Sequence, residues 1–161
     1  MSGLVCTPSI VPPPVSNDQA AIANDGFFPD VDPDAVKAAM RVRDSVTPAR
    51  LRAAVIGAML AAAPDLAAWA AAQRVAGYAT LGEVPPPFMI DGRSALVVLY
   101  ERAIGCYTKA ELIERNRDFD QAGGGQRDVD ELAPAPGELR RDAIHAIRDI
   151  LGVGRTTVEL I

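Results

Sequence analysis

The chain has 161 residues, enough for one domain that buries roughly two thirds of the surface its unfolded chain exposes. Its formal net charge of −5 disfavours a general affinity for nucleic acid, so any DNA contact would need a local patch. Hydrophobic residues make up 49% of the chain but aromatics only 5%, and much of the remainder is alanine, whose burial contributes about 0.8 kcal/mol per methyl. A body of this kind packs its helices closely yet gains little per residue, which leaves room for help from neighbouring subunits.

Residues 1–31 read as an extended Pro-rich N-terminal arm, because Pro8 and Pro12-Pro13-Pro14 fix φ and remove backbone donors. The arm lacks the basic start and apolar block of a signal peptide, and no run of about 18 apolar residues is evident that would span a membrane. Cys6 and Cys106 share no metal-like spacing and read as free thiols of a reducing cytoplasm. The arm leads into Asp25-Gly26-Phe27-Phe28-Pro29-Asp30, where Phe27, Phe28, Pro29 and Asp30 are expected to contact a neighbouring copy.

A helical domain is expected over residues 32–152. Asp32-Pro33 is a cap followed by proline at the first helical position, which predicts a short helix to about Val42. Thr47-Pro48 repeats the signal, and Leu51, Val55, Met59 and Leu60 then form one stripe. Pro64 predicts a kink or break, with a second half from Asp65 that carries Leu66 and Trp69 and stops at Gly77.

Residues 78–92, with Pro85-Pro86-Pro87 and Asp91-Gly92, read as a loop. The central helix is expected from about Arg93 to Asp118, with Leu96, Leu99, Tyr100, Ala103, Ile104, Tyr107, Ala110 and Leu112 inward. Gln121 to Gly137 reads as a second loop containing Gly123-Gly124-Gly125 and the acidic Asp128, Asp130 and Glu131. The triglycine lacks the lysine and hydroxyl of a phosphate loop, and the acidic cluster lacks the spacing of a calcium loop. A last helix from about Glu138 to Leu151 turns Leu139, Ala143, Ile144, Ile147, Ile150 and Leu151 inward. The fold class is therefore all-α: a small helical bundle with an extended arm and an extended C-terminal tail over residues 153–161.

No catalytic, cofactor or metal site emerges. His145, the only histidine, sits among Arg141, Asp142, Arg148 and Asp149, which suits a solvated or capping role. One motif offers an alternative function. Gly152-Val153-Gly154 followed by Arg155-Thr156-Thr157 resembles the turn of a helix-hairpin-helix DNA-binding module, whose amides meet phosphate. Thr156, Thr157, Val158, Leu160 and Ile161 nevertheless favour a strand, and Arg155 alone supplies positive charge. As a strand, the tail suits addition to a partner sheet or, in an isolated monomer, folding over its own body. Burying Val158, Leu160 and Ile161 would yield about 4–9 kcal/mol gross, against about 10 for ordering seven residues, so one tail binds weakly and a ring of tails binds through multivalency.

Several stretches together resemble a known family. They are Asp25 to Pro33, Val46-Thr47-Pro48-Ala49-Arg50-Leu51-Arg52, Trp69 with Ala71-Ala72-Gln73, Tyr78-Ala79-Thr80-Leu81, Leu99-Tyr100-Glu101-Arg102-Ala103 and Glu114 to Asp120. Glu138-Leu139-Arg140-Arg141-Asp142 and Asp149 to Ile161 complete the series. It looks like the head completion/stabilisation proteins of contractile-tailed bacteriophages, over roughly residues 25–161. The resemblance implies a non-enzymatic virion protein without cofactors, made in the host cytoplasm. It would bind the portal protein beneath the DNA-filled capsid as a ring, by analogy a dodecamer, retaining DNA and preparing tail attachment through a neck or tail-completion protein. It further implies that Arg155, Thr156, Thr157, Val158, Glu159, Leu160 and Ile161 dock on the portal, with packaged DNA only as passing cargo and no membrane contact.

Overall fold

In the computed structural model, residues 20–120 and 134–154 are described. Residues 1–19 with Cys6, the triglycine and acidic cluster, and the tail Arg155–Ile161 lie outside them. Four helices and one small hairpin make up the described chain, so the fold is mostly helical as its composition suggests.

Helix α1 (Pro33–Ala39) starts where its cap signal lies: the Asp32 carboxylate accepts from the Asp34 amide at 2.9 Å. It stops before the expected Val42, because Arg41 adopts φ +50°, and the Arg41 and Val42 amides turn back to Ala38 and Lys37. The Lys109 ammonium donates to the Met40 carbonyl at 2.8 Å, a cation at the negative end of the helix.

Helix α2 (Pro48–Val75) is capped by the Thr47 hydroxyl and continues through Pro64, where a kink or break was expected, without a break. The physical reason is position. Pro64 is exposed, and Leu60, whose carbonyl loses its partner, is 68% exposed, so water satisfies the freed group. The helix ends as expected at Gly77, φ +100°.

The stretch read as a loop over 78–92 contains a hairpin instead. Strand β1 (Met89–Ile90) pairs antiparallel with β2 (Arg93–Ser94), Met89 opposite Ser94 and Ile90 opposite Arg93. Asp91 and Gly92 both have positive φ, +49° and +70°, the requirement of the two-residue turn that Asp-Gly favours. Helix α3 (Ala95–Asp120) consequently begins two residues beyond the expected Arg93.

Helix α3 is the centre of the bundle. It runs antiparallel to α2: Tyr100 lies beside Leu66, Ala70 and Arg74, whereas Gly57 faces Glu111. Tyr100, Ala103, Ile104, Ala110 and Leu112 are buried along it, while Leu99 and Tyr107 are half-buried. Helix α4 (Pro136–Ile150) folds back on α3, with Arg140 donating through two nitrogens to the Glu114 carboxylate and Leu139, Ala143, Ala146, Ile147 and Ile150 buried. Ile144, expected inside, is 46% exposed; it lies about 100° around the helix from Ala143, beyond the buried stripe.

Candidate assembly interface

Residues 20–31 form a clasp on the bundle. Ile22 and Val31 exchange backbone hydrogen bonds at 2.8 and 3.0 Å, closing a loop around Asn24 to Asp30. Within it the Asp25 carboxylate accepts from the Phe27 and Phe28 amides at 3.0 and 3.1 Å, a local motif that fixes the turn. Its other oxygen accepts from Arg74 at 2.5 Å. Burial pushes the Asp25 carboxyl up, but the Phe28 amide, Arg74 and the Phe27 amide together outweigh it, so the carboxyl sits below its ordinary value.

The clasp delivers two aromatic rings to the bundle. Phe27 is 1% exposed, edge-on to Trp69 with centroids 6.2 Å apart, and the Arg74 guanidinium lies 4.9 Å from its centroid. Phe28 stacks on Tyr100, whose hydroxyl accepts from Asn24 Nδ2 at 2.7 Å. Of the four residues expected to meet a neighbour, then, Phe27 lies in the core of its own protomer. Phe28 and Pro29 are half-buried, the Pro29 carbonyl accepts from Asn24, and Asp30 is exposed.

The end of α4 fixes where the tail leaves the body. Gly152 adopts φ +69°, its amide donates to Asp149 and the Val153 amide donates to Arg148, while Arg148 reaches the Gly154 carbonyl at 3.0 Å. The Gly152 and Val153 amides are thus already spent on the carbonyls of α4, so neither is open to a phosphate at this turn. Arg155 to Ile161, the expected docking residues, lie outside the described residues.

The surface that sequence reading missed is the outer face of α2. From Ala53 to Ala72 the only charged residue is Asp65. Ile56, Leu60 and Val75 are exposed, and between them Ala53, Ala61, Ala63, Ala67, Ala68, Ala71 and Ala72 face outward. The helix is even apolar enough by length and composition to cross a membrane, with an 18-residue window of mean hydropathy 1.6 of which 33% is buried in the bundle. No run of this kind was expected from the sequence, yet Pro48–Val75 contains one. A helix apolar all round is ordinarily covered all round, and exposed apolar patches rimmed by polar groups mark interaction surfaces. A second patch sits on the hairpin, where Phe88, Met89 and Ile90 are 57%, 58% and 45% exposed.

Reactive chemistry is sparse. Among the described residues no three His, Cys, Asp or Glu side chains gather to hold a metal. His145 is half-buried on α4. Cys106 is a buried free thiol, and burial pushes its pKa up, which suppresses the nucleophilic thiolate. A cleft lies under the clasp, lined by Asn24, Asp25, Phe28, Met59, Ala67, Arg74 and Tyr100 among others, and its one carboxylate, Asp25, is already held by Arg74.

Comparison with known proteins agrees with an assembly role. The model of the family described as phage head completion protein (GPL) matches residues 22–161. A curated relative, the head completion/stabilization protein of Escherichia phage P2, is 36% identical over 153 residues, covering 95% of this chain and 90% of the relative. No solved structure matches.

Proposed function

The chain belongs to the phage head completion protein family, and on that premise we propose that it is a structural adaptor forming a ring on the portal vertex of the DNA-filled capsid. The ring retains packaged DNA and offers a platform for a neck or tail-completion protein. The observation that carries this reading is the outer face of α2, which the isolated protomer leaves apolar and open.

In this reading Arg155 to Ile161 dock on the portal. The turn at Gly152 supports it, because a fixed exit direction lets many identical tails project from a ring in register. The outer side of the clasp, at Asp30, faces the neighbouring copy. DNA passes as cargo, held weakly by a protein whose formal net charge is −5.

Removal of residues 155–161 tests the docking role. The truncated protein is expected to keep its helical circular dichroism and to lose co-sedimentation with purified portal. Undiminished co-sedimentation would place the docking surface elsewhere.

A further inference from the structure

The clasp has a direction. The Ala20 carbonyl accepts from Arg52 Nη1 at 2.6 Å near the start of α2, whereas Asp25 meets Arg74 near its end. The chain therefore climbs along α2 from its first turns to its last, and Ala20, where the described chain begins, lies near the N-terminal end of that helix. An arm continuing that line leaves its own bundle instead of lying back over its own α2.

Composition and length match the arm to the open face. Residues 1–17 contain no charged side chain and include Leu4, Val5, Ile10, Val11 and Val15 with four prolines. The α2 face carries one charge, Asp65, between Ala53 and Ala72. Joining two surfaces whose side chains bring a single charge, Asp65, keeps the penalty of desolvating ions small. Pro-rich chain extends about 3.1 Å per residue, so residues 4–18 reach about 47 Å, while the 28 residues of α2 rise about 42 Å. The small alanine side chains let an extended backbone approach closely, and the preset φ of proline lowers the entropy lost on docking.

We propose that residues 1–19 of one copy lie along the exposed α2 face of the adjacent copy, so that each subunit of the ring is strapped to the next. The contact joins two different surfaces, arm and helix, and head-to-tail contacts of this kind generate rings where the rotation between copies closes. The inference rests on the ring reading above and adds to it the identity of the subunit contact.

Cys6 provides a native probe within the arm. Full-length chains in which Cys6 is the donor are mixed with chains carrying Cys6→Ser together with Ala61→Cys or Ala68→Cys on the exposed α2 face, assembled on portal and mildly oxidised. The expected result is disulfide-linked pairs between the two kinds of chain, lost when Cys6→Ser is present in both. Arg141→Cys on the exposed side of α4 should give no such pairs. No links from either α2 site in assembled rings overturn the strap. A chain lacking residues 2–19 keeps the whole clasp and should fold yet fail to form rings. Rings from that chain, seen by native mass, sink the inference while leaving the ring reading intact. A wild-type chain that never multimerises on portal defeats both.

Discussion

Phe28 lies nearly flat against Tyr100, with ring centroids 4.9 Å apart and planes 17° from parallel. That stack joins the clasp to the central helix, as does the Asn24 amide on the Tyr100 hydroxyl, a bond between residues 76 positions apart in sequence. Tyr100→Phe keeps the ring and removes one hydrogen bond, so a loss of about 1 kcal/mol is expected in urea denaturation. Tyr100→Ala removes a ring that is 3% exposed, and about 3–5 kcal/mol is expected, enough to threaten a domain of this size.

The clasp also dictates a dependence on pH at both extremes. Asp25 has a folded pKa below its ordinary 3.8, so its contribution is complete above that value and disappears as pH falls through the folded one. Tyr100 has a folded pKa above its ordinary 10.0, raised chiefly by burial, so its contribution holds below pH 10 and is lost as pH rises through the folded value. Asp25→Asn should lower the midpoint of thermal unfolding at neutral pH and make its acid decline shallower. Tyr100→Phe should flatten the alkaline limb, measured by the same melts up to pH 11.

Much of this architecture was legible in the sequence because it rests on local chemistry. Asp32-Pro33 and Thr47-Pro48 placed two helix starts, since caps act within three residues. Non-local contacts were not legible. Phe27 and Phe28 read as sticky residues awaiting a neighbour, yet Asp25 turns their segment inward onto Trp69 and Tyr100, which no spacing reveals. The hairpin was readable in principle, because Asp91-Gly92 is a strong turn signal, but two-residue strands leave no alternation to count. The α2 face was hidden by a proline rule that holds for buried helix interiors and relaxes where the freed carbonyl meets water.

Leu60 is the sharpest probe of that face. It is 68% exposed on a helix whose other side is buried, so Leu60→Asp should change the stability of the isolated chain by no more than about 0.5 kcal/mol. In the assembled ring the same substitution puts an unpaired carboxylate into an apolar contact. Loss of ring formation on native mass, at an unchanged melting temperature, is the expected pattern. Unaltered rings would show that α2 faces solvent in the assembly.

Gly152 and Gly154 separate the direction of the tail from its composition. Gly152 holds φ +69°, a conformation that costs a residue with a side chain about 1 kcal/mol, whereas Gly154 has no positive φ and open space around its Cα. Gly152→Ala should therefore either strain the turn or release it, loosening the bonds from the Gly152 and Val153 amides to Asp149 and Arg148. Gly154→Ala adds the same methyl two residues later without touching that turn. If the tail must leave α4 at a set angle for many copies to engage the portal together, Gly152→Ala weakens portal co-sedimentation far more than Gly154→Ala, with helical content equal in both. Equal capture by the two variants would mean that the tail finds its site by its own sequence, and that the turn serves only to end the helix.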